Sequence, residues 1–283
     1  MKFCSFLIDS QPRWGVAHAS GGIIDLTNRV KRYPTLLSLV QANDANAARE
    51  LAASAAADYA EKDVDFLPLF TEQVAIHCVG LNYAAHTAEA GMKQPPFPRT
   101  FMKIRPSLVG HGQKFEMPSL SHQFDFEGEL AVVMAKPARQ VAAKDALDYV
   151  FGYTCFMDGS VRDYQLERTL DQGKNFRKSS SMGPWLVTAD EVGPIEKLGV
   201  RTVVSGEQMQ QSGFDMMIFP VPTLIEYISG INLLEAGDVI ATGTPEGVGF
   251  KRSPPRWLTT GDRVEVIIEG VGTLVNEVGE KAA

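Results

Sequence analysis

The chain has 283 residues, of which 45% are hydrophobic and 22% charged, a composition typical of a globular protein that can bury a sizeable core. Its 27 lysines and arginines against 34 acidic residues give a formal net charge of −7, which argues against a nucleic-acid groove and against a polybasic membrane surface. Three cysteines without CxxC spacing argue against a disulfide framework and against a thiolate zinc site. No apolar run is long enough to span a membrane, so we expect a cytoplasmic protein.

The first 70 residues have a different pattern from the remainder of the chain. They begin with short β-like runs separated by glycine turns and continue with an alanine-rich stretch of helical periodicity over 37–59. This part contains no cluster of catalytic residue types. We therefore interpret residues 1–70 as a small N-terminal α/β extension with a packing or dimer-supporting role.

Residues 71–283 alternate β-like runs with glycine and proline, and the best helical candidate among them is Pro222–Ser229. Strands and helices do not alternate regularly, which disfavours a doubly wound sheet and a TIM barrel. We predict a β-rich α+β domain built on a mixed, curled sheet of the sandwich or roll type.

The segment FDFEGELAVVM, residues 124–134, contains the first chemical pattern. In an extended strand, Asp125, Glu127 and Glu129 lie on one face with about 6.6 Å between neighbours. Burying unpaired carboxylates is costly, whereas a shared Mg²⁺, Mn²⁺ or Ca²⁺ ion removes the conflict because hard cations prefer oxygen ligands. The alternative is a strand face whose acids point to water, and this segment alone leaves both interpretations open.

A second buried-strand pattern, over 149–157, ends at Asp158. A carboxylate at the tip of a buried strand is a typical position for a third metal ligand. Arg162 and Gln165, three residues apart, share a face if they lie on a helical turn, and Lys174 follows. These three donors suit carboxylate and oxyanion groups, although each by itself is more often a surface residue.

His86 and Glu89 follow a β-like run that ends at Gly80, and they are also three residues apart. A carboxylate beside a histidine orients the imidazole and raises its basicity, as a general base requires. A lone helical pair of this kind is more often a surface contact.

Six strings carry a resemblance to a known family: VGLNYAAHTAE, DFEGELAVV, FGYTCFMDGSVRDYQ, QGK, MGPWLVTADEV and LEAGDVIATGTPEGVG. Together they resemble the fumarylacetoacetate hydrolase family, in the family's order, from about Val74 to the C-terminus. Residues 1–70 resemble the variable N-terminal extension of its longer bacterial members. The resemblance implies a mixed β-roll fold, a homodimer, and a Mg²⁺ or Mn²⁺ site acting on 2-oxo acids or 1,3-diketo acids.

The resemblance also implies roles for particular side chains, by motif. The metal ligands would be Glu127, Glu129 and Asp158. The catalytic residues would be His86, Glu89 and Lys174. The substrate-binding residues would be Arg162, Gln165, Thr244 and Lys103.

Two segments depart from the family pattern. Ser205 stands where many members have asparagine, and the RKSSS run at 177–181 replaces a more usual acidic and aromatic run. We expect both to lie near the mouth of the pocket, with consequences for the substrate rather than for the metal site.

The leading hypothesis is hydrolytic C–C cleavage of a 1,3-diketo acid, an acylpyruvate or a 2,4-diketo-3-deoxy sugar acid, through a metal-stabilised enolate. Water activated by His86 and Glu89 would attack the distal carbonyl. Oxaloacetate decarboxylation, and isomerisation or hydration of an unsaturated 2-oxo acid, use the same enolate and stay open. The non-enzymatic alternative is a metal-dependent binding or structural protein on the same scaffold.

Overall fold

The computed structural model of the chain describes residues 1–281 and contains many strands and a few short helices. The strands are β1 (Lys2–Ile8), β2 (Gln11–Ala17), β3 (Ile23–Asp25), β4 (Asp65–Phe66), β5 (Ile76–Gly80), β6 (Arg99–Lys103), β7 (Leu108–Val109), β8 (Lys114–Met117), β9 (Phe124–Asp125), β10 (Gly128–Met134), β11 (Val150–Met157), β12 (Ser160–Val161), β13 (Ser180–Thr188), β14 (Gly199–Val204), β15 (Glu207–Gly213), β16 (Val239–Ala241), β17 (Arg263–Ile268) and β18 (Gly272–Lys281). The helices are α1 (Leu36–Gln41), α2 (Ala45–Ala52), α3 (Ala84–Glu89), α4 (Arg162–Glu167), α5 (Leu170–Lys174), α6 (Ala189–Val192) and α7 (Val221–Ile231).

Most of the strands belong to one large mixed sheet. Its order is β3-β2-β1-β13-β11-β10-β16-β5-β6, with β4 beside β1 and β7 beside β13. A five-stranded sheet has the order β15-β14-β17-β18-β8, and β9 pairs with β12. Most neighbours are antiparallel, whereas β7 with β13, β5 with β16 and β8 with β18 are parallel. The predicted β-rich α+β fold with a mixed sheet is therefore confirmed.

The central strand β10 is buried on both faces, which accounts for its continuous apolar sequence. Leu130 and Val132 pack into a core that the large sheet shares with the five-stranded sheet. Ala131 and Val133 pack into a second core on the other face of the large sheet, which α1 and α2 cover. The predicted alternation of side chains along this strand is confirmed.

The large sheet is continuous across the predicted division at residues 70 and 71. Strand β1 pairs with β2 on one side and with β13 on the other, at Lys2 opposite Val187 and Phe3 opposite Leu186. Both hydrophobic cores contain side chains from before and after residue 70. The division into two parts stays a prediction about the organisation of the chain.

The alanine-rich stretch is helical only in its first part. Thr35 and Asp44 cap α1 and α2 with their side-chain oxygens, and Asn43 turns the chain between the helices at φ 49°. The prediction of a helical pattern as far as Tyr59 is wrong, because Tyr59 forms backbone hydrogen bonds with Ile23 instead. Alanine buries little apolar area, so its spacing did not define where the helix ends.

Cys4, Cys78 and Cys155 are buried and free, and burial raises the pKa of each thiol. Among residues 1–281, no helix combines the length and the apolar character needed to cross a bilayer. The cytoplasmic location stays a prediction.

The expectation that Ser205 lies near the pocket mouth is wrong. Ser205 occupies the turn between β14 and β15 at φ 49°, a left-handed conformation that asparagine adopts more readily than most residues. Its hydroxyl donates to Asp262 Oδ1 at 2.7 Å. The residue therefore stabilises the five-stranded sheet rather than shaping the pocket.

We expect Asp262 to make the stability of the fold depend on pH. Burial opposes ionisation, but hydrogen bonds from Arg256, Ser205 and Thr259 outweigh it and lower the pKa of Asp262 to about 2. Since an unfolded aspartate titrates near 3.9, the stabilisation is present above about pH 4 and is lost as the pH falls towards about 2.

The expected contribution of Asp262 is on the order of 1 kcal/mol, since solvent screens part of it. The free energy of unfolding of Asp262→Asn and of the wild type, measured by denaturant titration, should converge between about pH 4 and pH 2. The control variant is Asp9→Asn, at an exposed residue in a turn. A difference between wild type and Asp262→Asn that does not change with pH would contradict the prediction.

Candidate active site

The predicted strand over 124–134 consists of two strands, because the chain changes pairing partner in its middle. Asp125 in β9 pairs with Ser160 in β12, whereas Gly128 at the start of β10 pairs with Met157 at the end of β11. Glu127 lies in the short connection between them. This geometry brings the Glu-Gly-Glu sequence beside the end of β11, where Asp158 follows.

Glu127, Glu129 and Asp158 converge in the interior. One carboxylate oxygen from each lies within 4.8 Å of the others. Their exposed fractions are 6%, 1% and 0%, so water cannot solvate three charges there. The predicted set of ligands is therefore brought together by the antiparallel register of β10 and β11.

Three cationic side chains contact two of these carboxylates. Lys174 Nζ donates to Glu127 Oε2 at 2.6 Å and to Asp158 Oδ2 at 2.8 Å. Arg162 Nη2 lies 2.7 Å from Glu127 Oε1, and Lys103 Nζ lies 2.5 Å from Asp158 Oδ1. Burial by itself would raise the pKa of Glu127, but the charges of Lys174 and Arg162 outweigh it and lower that pKa to about 2.

Glu129 is in a different position from the other two acids. Across the part of the chain that the structure describes, no cationic side chain lies within ion-pair distance of it, and its Oε2 accepts the Gly243 N–H at 2.9 Å. Burial, and then the charges of Asp158 and Glu127, raise the pKa of Glu129 well above its usual range. A divalent cation held by the three carboxylates would offset both the burial of their charges and the repulsion between them. Carboxylate oxygens suit Mg²⁺ and Mn²⁺. The residues fit such an ion.

Asp125 does not join the carboxylate cluster, contrary to the single-strand interpretation. Its Oδ2 accepts from Arg162 Nε at 2.8 Å, and its carboxylate also accepts from the backbone N–H groups of Gly249 and Phe250 at 2.8 and 3.1 Å. The Arg162 guanidinium lies over the Phe250 ring, 4.3 Å from its centroid. Asp125 therefore orients Arg162 and holds the loop after residue 248.

His86 and Glu89 lie on α3, as the spacing predicted. His86 Nδ1 is 3.3 Å from Glu89 Oε2, and the same carboxylate accepts the Gly247 N–H at 3.0 and 3.2 Å. If Nδ1 carries the proton shared with Glu89, Nε2 keeps its lone pair, so it can accept a proton from a substrate.

A cavity of about 280 Å³ lies beside the carboxylate cluster. Six of the predicted site residues line it: His86, Glu127, Arg162, Gln165, Lys174 and Thr244. Apolar side chains form much of the remaining wall, namely Leu81, Met92, Phe101, Leu166, Leu170 and Phe250. His86, two of the three cationic side chains and one of the acids therefore face the same cavity.

The other four predicted residues lie outside this wall. Glu129 and Asp158 are deeper than Glu127, and Glu89 contacts the site through His86. Lys103 is 2% exposed and contacts Asp158 and the Gly159 carbonyl. Contact between Lys103 and a substrate stays a prediction, and its observed partner is a carboxylate of the cluster.

Two loops contribute side chains to the wall of this cavity. Met92 and Arg99 come from one of them, and Phe250 and Lys251 from another. The run at 177–181 does not line this cavity, but the hydroxyl of Ser180 accepts the Gly159 N–H at 3.0 Å, directly after Asp158. That run therefore supports the backbone behind the site.

The sequence did not reveal two buried amides that hold the site together. Asn82 donates to the carbonyls of Phe219 and Thr242 at 3.0 and 2.7 Å and accepts the Phe219 N–H at 2.8 Å. It ties the turn after β5 to the end of β16. Gln210 contacts Gly128 from the five-stranded sheet. A polar residue in a run that reads as solvent-exposed strand gives no signal that it is buried.

Gly128, between the two glutamates, packs closely against the side chain of Thr202. A Cβ at Gly128 would lie 2.0 Å from Thr202 Oγ1, so we expect Gly128→Ala to lower the free energy of unfolding by about 1–3 kcal/mol through overpacking. Thr202→Ala in the same chain should restore part of the loss, as measured by denaturant titration. Gly230→Ala in α7, where a Cβ meets no atom within 4 Å, is the control. An undiminished stability of Gly128→Ala would contradict the close approach.

The sequence matches the family model described as fumarylacetoacetate (FAA) hydrolase, C-terminal, over residues 75–279. Among curated relatives, oxaloacetate tautomerase YisK of Bacillus subtilis is 41% identical over 208 residues, which are 72% of this chain and 69% of that protein. A mitochondrial oxaloacetate tautomerase of Bos taurus is 36% identical over 264 residues, or 91% of this chain and 84% of that protein.

Solved structures extend the similarity over the whole chain. The fumarylacetoacetate hydrolase of Exiguobacterium antarcticum superposes with a TM-score of 0.84 at 34% identity, covering 99% of this chain and 100% of that one. The maleylpyruvate hydrolase of Sphingobium sp. SYK-6, solved with manganese(II) and pyruvate, superposes with a TM-score of 0.83 at 27% identity, with 100% of each chain covered. The shared fold therefore includes the first 70 residues.

Proposed function

Because this chain belongs to the fumarylacetoacetate hydrolase family, we propose that it is a divalent-metal-dependent enzyme that interconverts the enol and keto forms of oxaloacetate or a closely similar 2-oxo acid. The observation that carries the proposal is the shared cavity, in which His86 faces the same space as Glu127, Arg162 and Lys174. Keto–enol exchange requires one group that moves a proton and a charged surface that stabilises an enolate. The two oxaloacetate tautomerases similar to this chain support the choice of substrate.

The residues of the carboxylate cluster would hold the metal, and we propose Mg²⁺ or Mn²⁺. When bound by Glu127, Glu129 and Asp158, the ion would supply Lewis-acid stabilisation of the negative charge on the 2-oxo oxygen. Arg162 presents a guanidinium whose Nη1 donates to Gln165 Oε1 at 2.8 Å, so the two side chains form a rigid unit on the cavity wall. That unit suits a substrate carboxylate.

His86 would move the proton. In the ketonisation direction, Nε2 accepts the proton of the enol hydroxyl, whose O–H bond breaks, and a C–H bond forms at C3 when a proton is returned there. Charge and atoms balance without a further reactant. Glu89 stabilises the imidazolium that exists between the two transfers and keeps the ring oriented.

Hydrolytic cleavage of an acylpyruvate, the leading hypothesis from the sequence, is our second candidate. The apolar wall around Leu166, Leu170 and Phe250 favours it, since a cavity of about 280 Å³ with such a wall can accept an acyl group beyond the 2-oxo acid. In that reaction His86 would take a proton from water rather than from the enol. The structure of the maleylpyruvate hydrolase similar to this chain supports this candidate.

Three assays on the purified full-length protein distinguish the reactions. The ultraviolet absorbance of enol-oxaloacetate reports tautomerisation, release of pyruvate from oxaloacetate reports decarboxylation, and loss of acetylpyruvate reports hydrolysis. We expect Mg²⁺ or Mn²⁺ to be required, and the enol absorbance to decay faster than either other signal. Faster cleavage of acetylpyruvate, or no acceleration of enol decay, would overturn the tautomerase assignment.

We also propose that the protein is a homodimer, as the resemblance of its sequence implies, and that it is cytoplasmic, as its composition predicts. Large apolar side chains such as Leu120, Leu166 and Ile231 are exposed, which suits a chain that buries surface against a second copy. Sedimentation equilibrium should give twice the chain mass of 30.9 kDa. A monomer at micromolar concentration would overturn the dimer.

A further inference from the structure

We infer that Gln210 is a positioning residue for the metal site: from the five-stranded sheet, it sets the orientation of the Gly128 peptide that joins the two glutamate ligands. The inference rests on the proposed metal site. It begins with the edge of β10. Strand β11 accompanies β10 along its whole length, whereas β16 pairs only with Ala131, Val132 and Val133.

Beyond the end of β16, side chains take over the hydrogen bonding of the Gly128 peptide groups. The Gly128 N–H donates to Gln210 Oε1 at 3.0 Å, and the Gly128 carbonyl accepts from Thr244 Oγ1 at 3.0 Å. Gln210 Nε2 in turn donates to Thr244 Oγ1 at 2.8 Å. Three hydrogen bonds therefore close a ring through Gly128, Gln210 and Thr244, and each donor and acceptor in it is matched.

The ring permits only one orientation of the Gln210 amide. The second Nε2 hydrogen donates to the Pro245 carbonyl at 2.9 Å. A flipped amide would direct its NH₂ group at the Gly128 N–H and its oxygen at the Pro245 carbonyl, so like groups would oppose each other. Gln210 is 1% exposed and Thr244 3%, which leaves water little access to replace a lost bond.

The position of the ring explains how it acts on the metal ligands. Glu127 and Glu129 flank Gly128, so the tilt of the Gly128 peptide sets the separation and direction of their carboxylates. Thr202, which pairs with Gln210 across β14 and β15, packs against the same glycine. Two residues of the five-stranded sheet thus hold the Glu-Gly-Glu segment from one side.

The test measures Mn²⁺ binding to the full chain, by calorimetry and by the electron paramagnetic resonance spectrum of bound Mn²⁺. Gln210→Met keeps the side-chain length and removes the hydrogen bonds that residue 210 makes to Gly128 and Thr244. We expect its Mn²⁺ dissociation constant to rise about 10–100-fold, the range typical for residues that orient metal ligands from outside the ligand set, and the spectrum to change shape. Gln211→Met, the same change at the exposed neighbour on β15, should stay within about twofold of wild type.

Two further variants separate positioning from general destabilisation. Leu274→Ala removes buried apolar volume in the five-stranded sheet and should lower the Tm without weakening Mn²⁺ binding. Thr244→Val, which keeps the volume but removes the hydroxyl from the ring, should weaken binding in the same direction as Gln210→Met, and it decides the matter if Gln210→Met does not fold.

Wild-type affinity and an unchanged Mn²⁺ spectrum in folded Gln210→Met, or in Thr244→Val, would overturn the positioning role. If the wild type itself bound no Mn²⁺, the proposed metal site would fail instead. The two failures are therefore distinguishable.

Discussion

Replacing Glu129 with glutamine should abolish the metal site while leaving the metal-free fold at least as stable as that of the wild type. Within the carboxylate cluster, Glu129 is the acid for which we find no cationic partner among residues 1–281. Glutamine keeps the oxygen that accepts the Gly243 N–H and removes the charge. We expect the Mn²⁺ dissociation constant to rise more than about 100-fold, beyond the loss typical for an outer partner of a metal ligand.

The stability of the same variant should move in the opposite direction. Removing a carboxylate that is buried beside two others relieves a desolvation and repulsion cost, so the metal-free protein should gain about 1–3 kcal/mol in the free energy of unfolding. The wild type should gain stability when Mn²⁺ is added, by linkage, and Glu129→Gln should not. Differential scanning calorimetry with and without Mn²⁺ measures both effects.

Glu277→Gln is the matched control, because Glu277 is an exposed acid that pairs with Lys114 at 3.0 Å on the surface. It should bind Mn²⁺ as the wild type does and change the free energy of unfolding by less than about 1 kcal/mol. Wild-type Mn²⁺ affinity in Glu129→Gln would show that Glu129 is not a ligand.

Replacing His86 with asparagine should remove catalysis and spare the metal. The imidazole contacts Glu89 and lines the cavity, but it is not one of the three clustered carboxylates. We expect kcat for oxaloacetate tautomerisation to fall by about 10²–10⁴-fold, the usual contribution of a general acid or base. The Mn²⁺ dissociation constant should remain within about threefold of wild type.

The control for this variant is His122→Asn, at an exposed histidine that does not line the cavity. It should leave kcat and Mn²⁺ affinity unchanged. Normal turnover by His86→Asn would contradict the assignment of His86 as the proton-transfer group, both for tautomerisation and for hydrolysis. Loss of both turnover and Mn²⁺ binding would instead assign His86 a structural role at the metal site.

The site residues whose placement could be predicted from the sequence are those that depend on spacing within a single strand or helix. Glu127 and Glu129 share a face because side chains alternate along a strand, and His86 and Glu89 meet because residues three apart are neighbours on a helix. Asp158 at the end of a buried strand followed from the contrast between an apolar run and an acid. Each of these inferences needs only the geometry of one element.

Residues whose role depends on a second element were misplaced or missed. Asp125 lies at the same two-residue spacing as the glutamates, yet its strand pairs with β12 rather than β11. Its carboxylate forms an ion pair with Arg162 instead of joining the cluster. Ser205, which departs from the family pattern, lies in a turn of the five-stranded sheet rather than at the pocket. Gln210 and Gly128 are 82 positions apart in the sequence, so no local pattern relates them.

The sequence by itself therefore determined the composition of the site: an acidic set that fits a hard divalent ion, a histidine–glutamate pair, and donors suited to an anionic substrate. Tertiary structure decided which of these side chains face the cavity, which acid lacks a cationic partner, and how the Glu-Gly-Glu backbone is held. The physical reason is that periodicity sets the face on which a side chain lies, whereas the pairing of strands distant in the chain decides what that face meets.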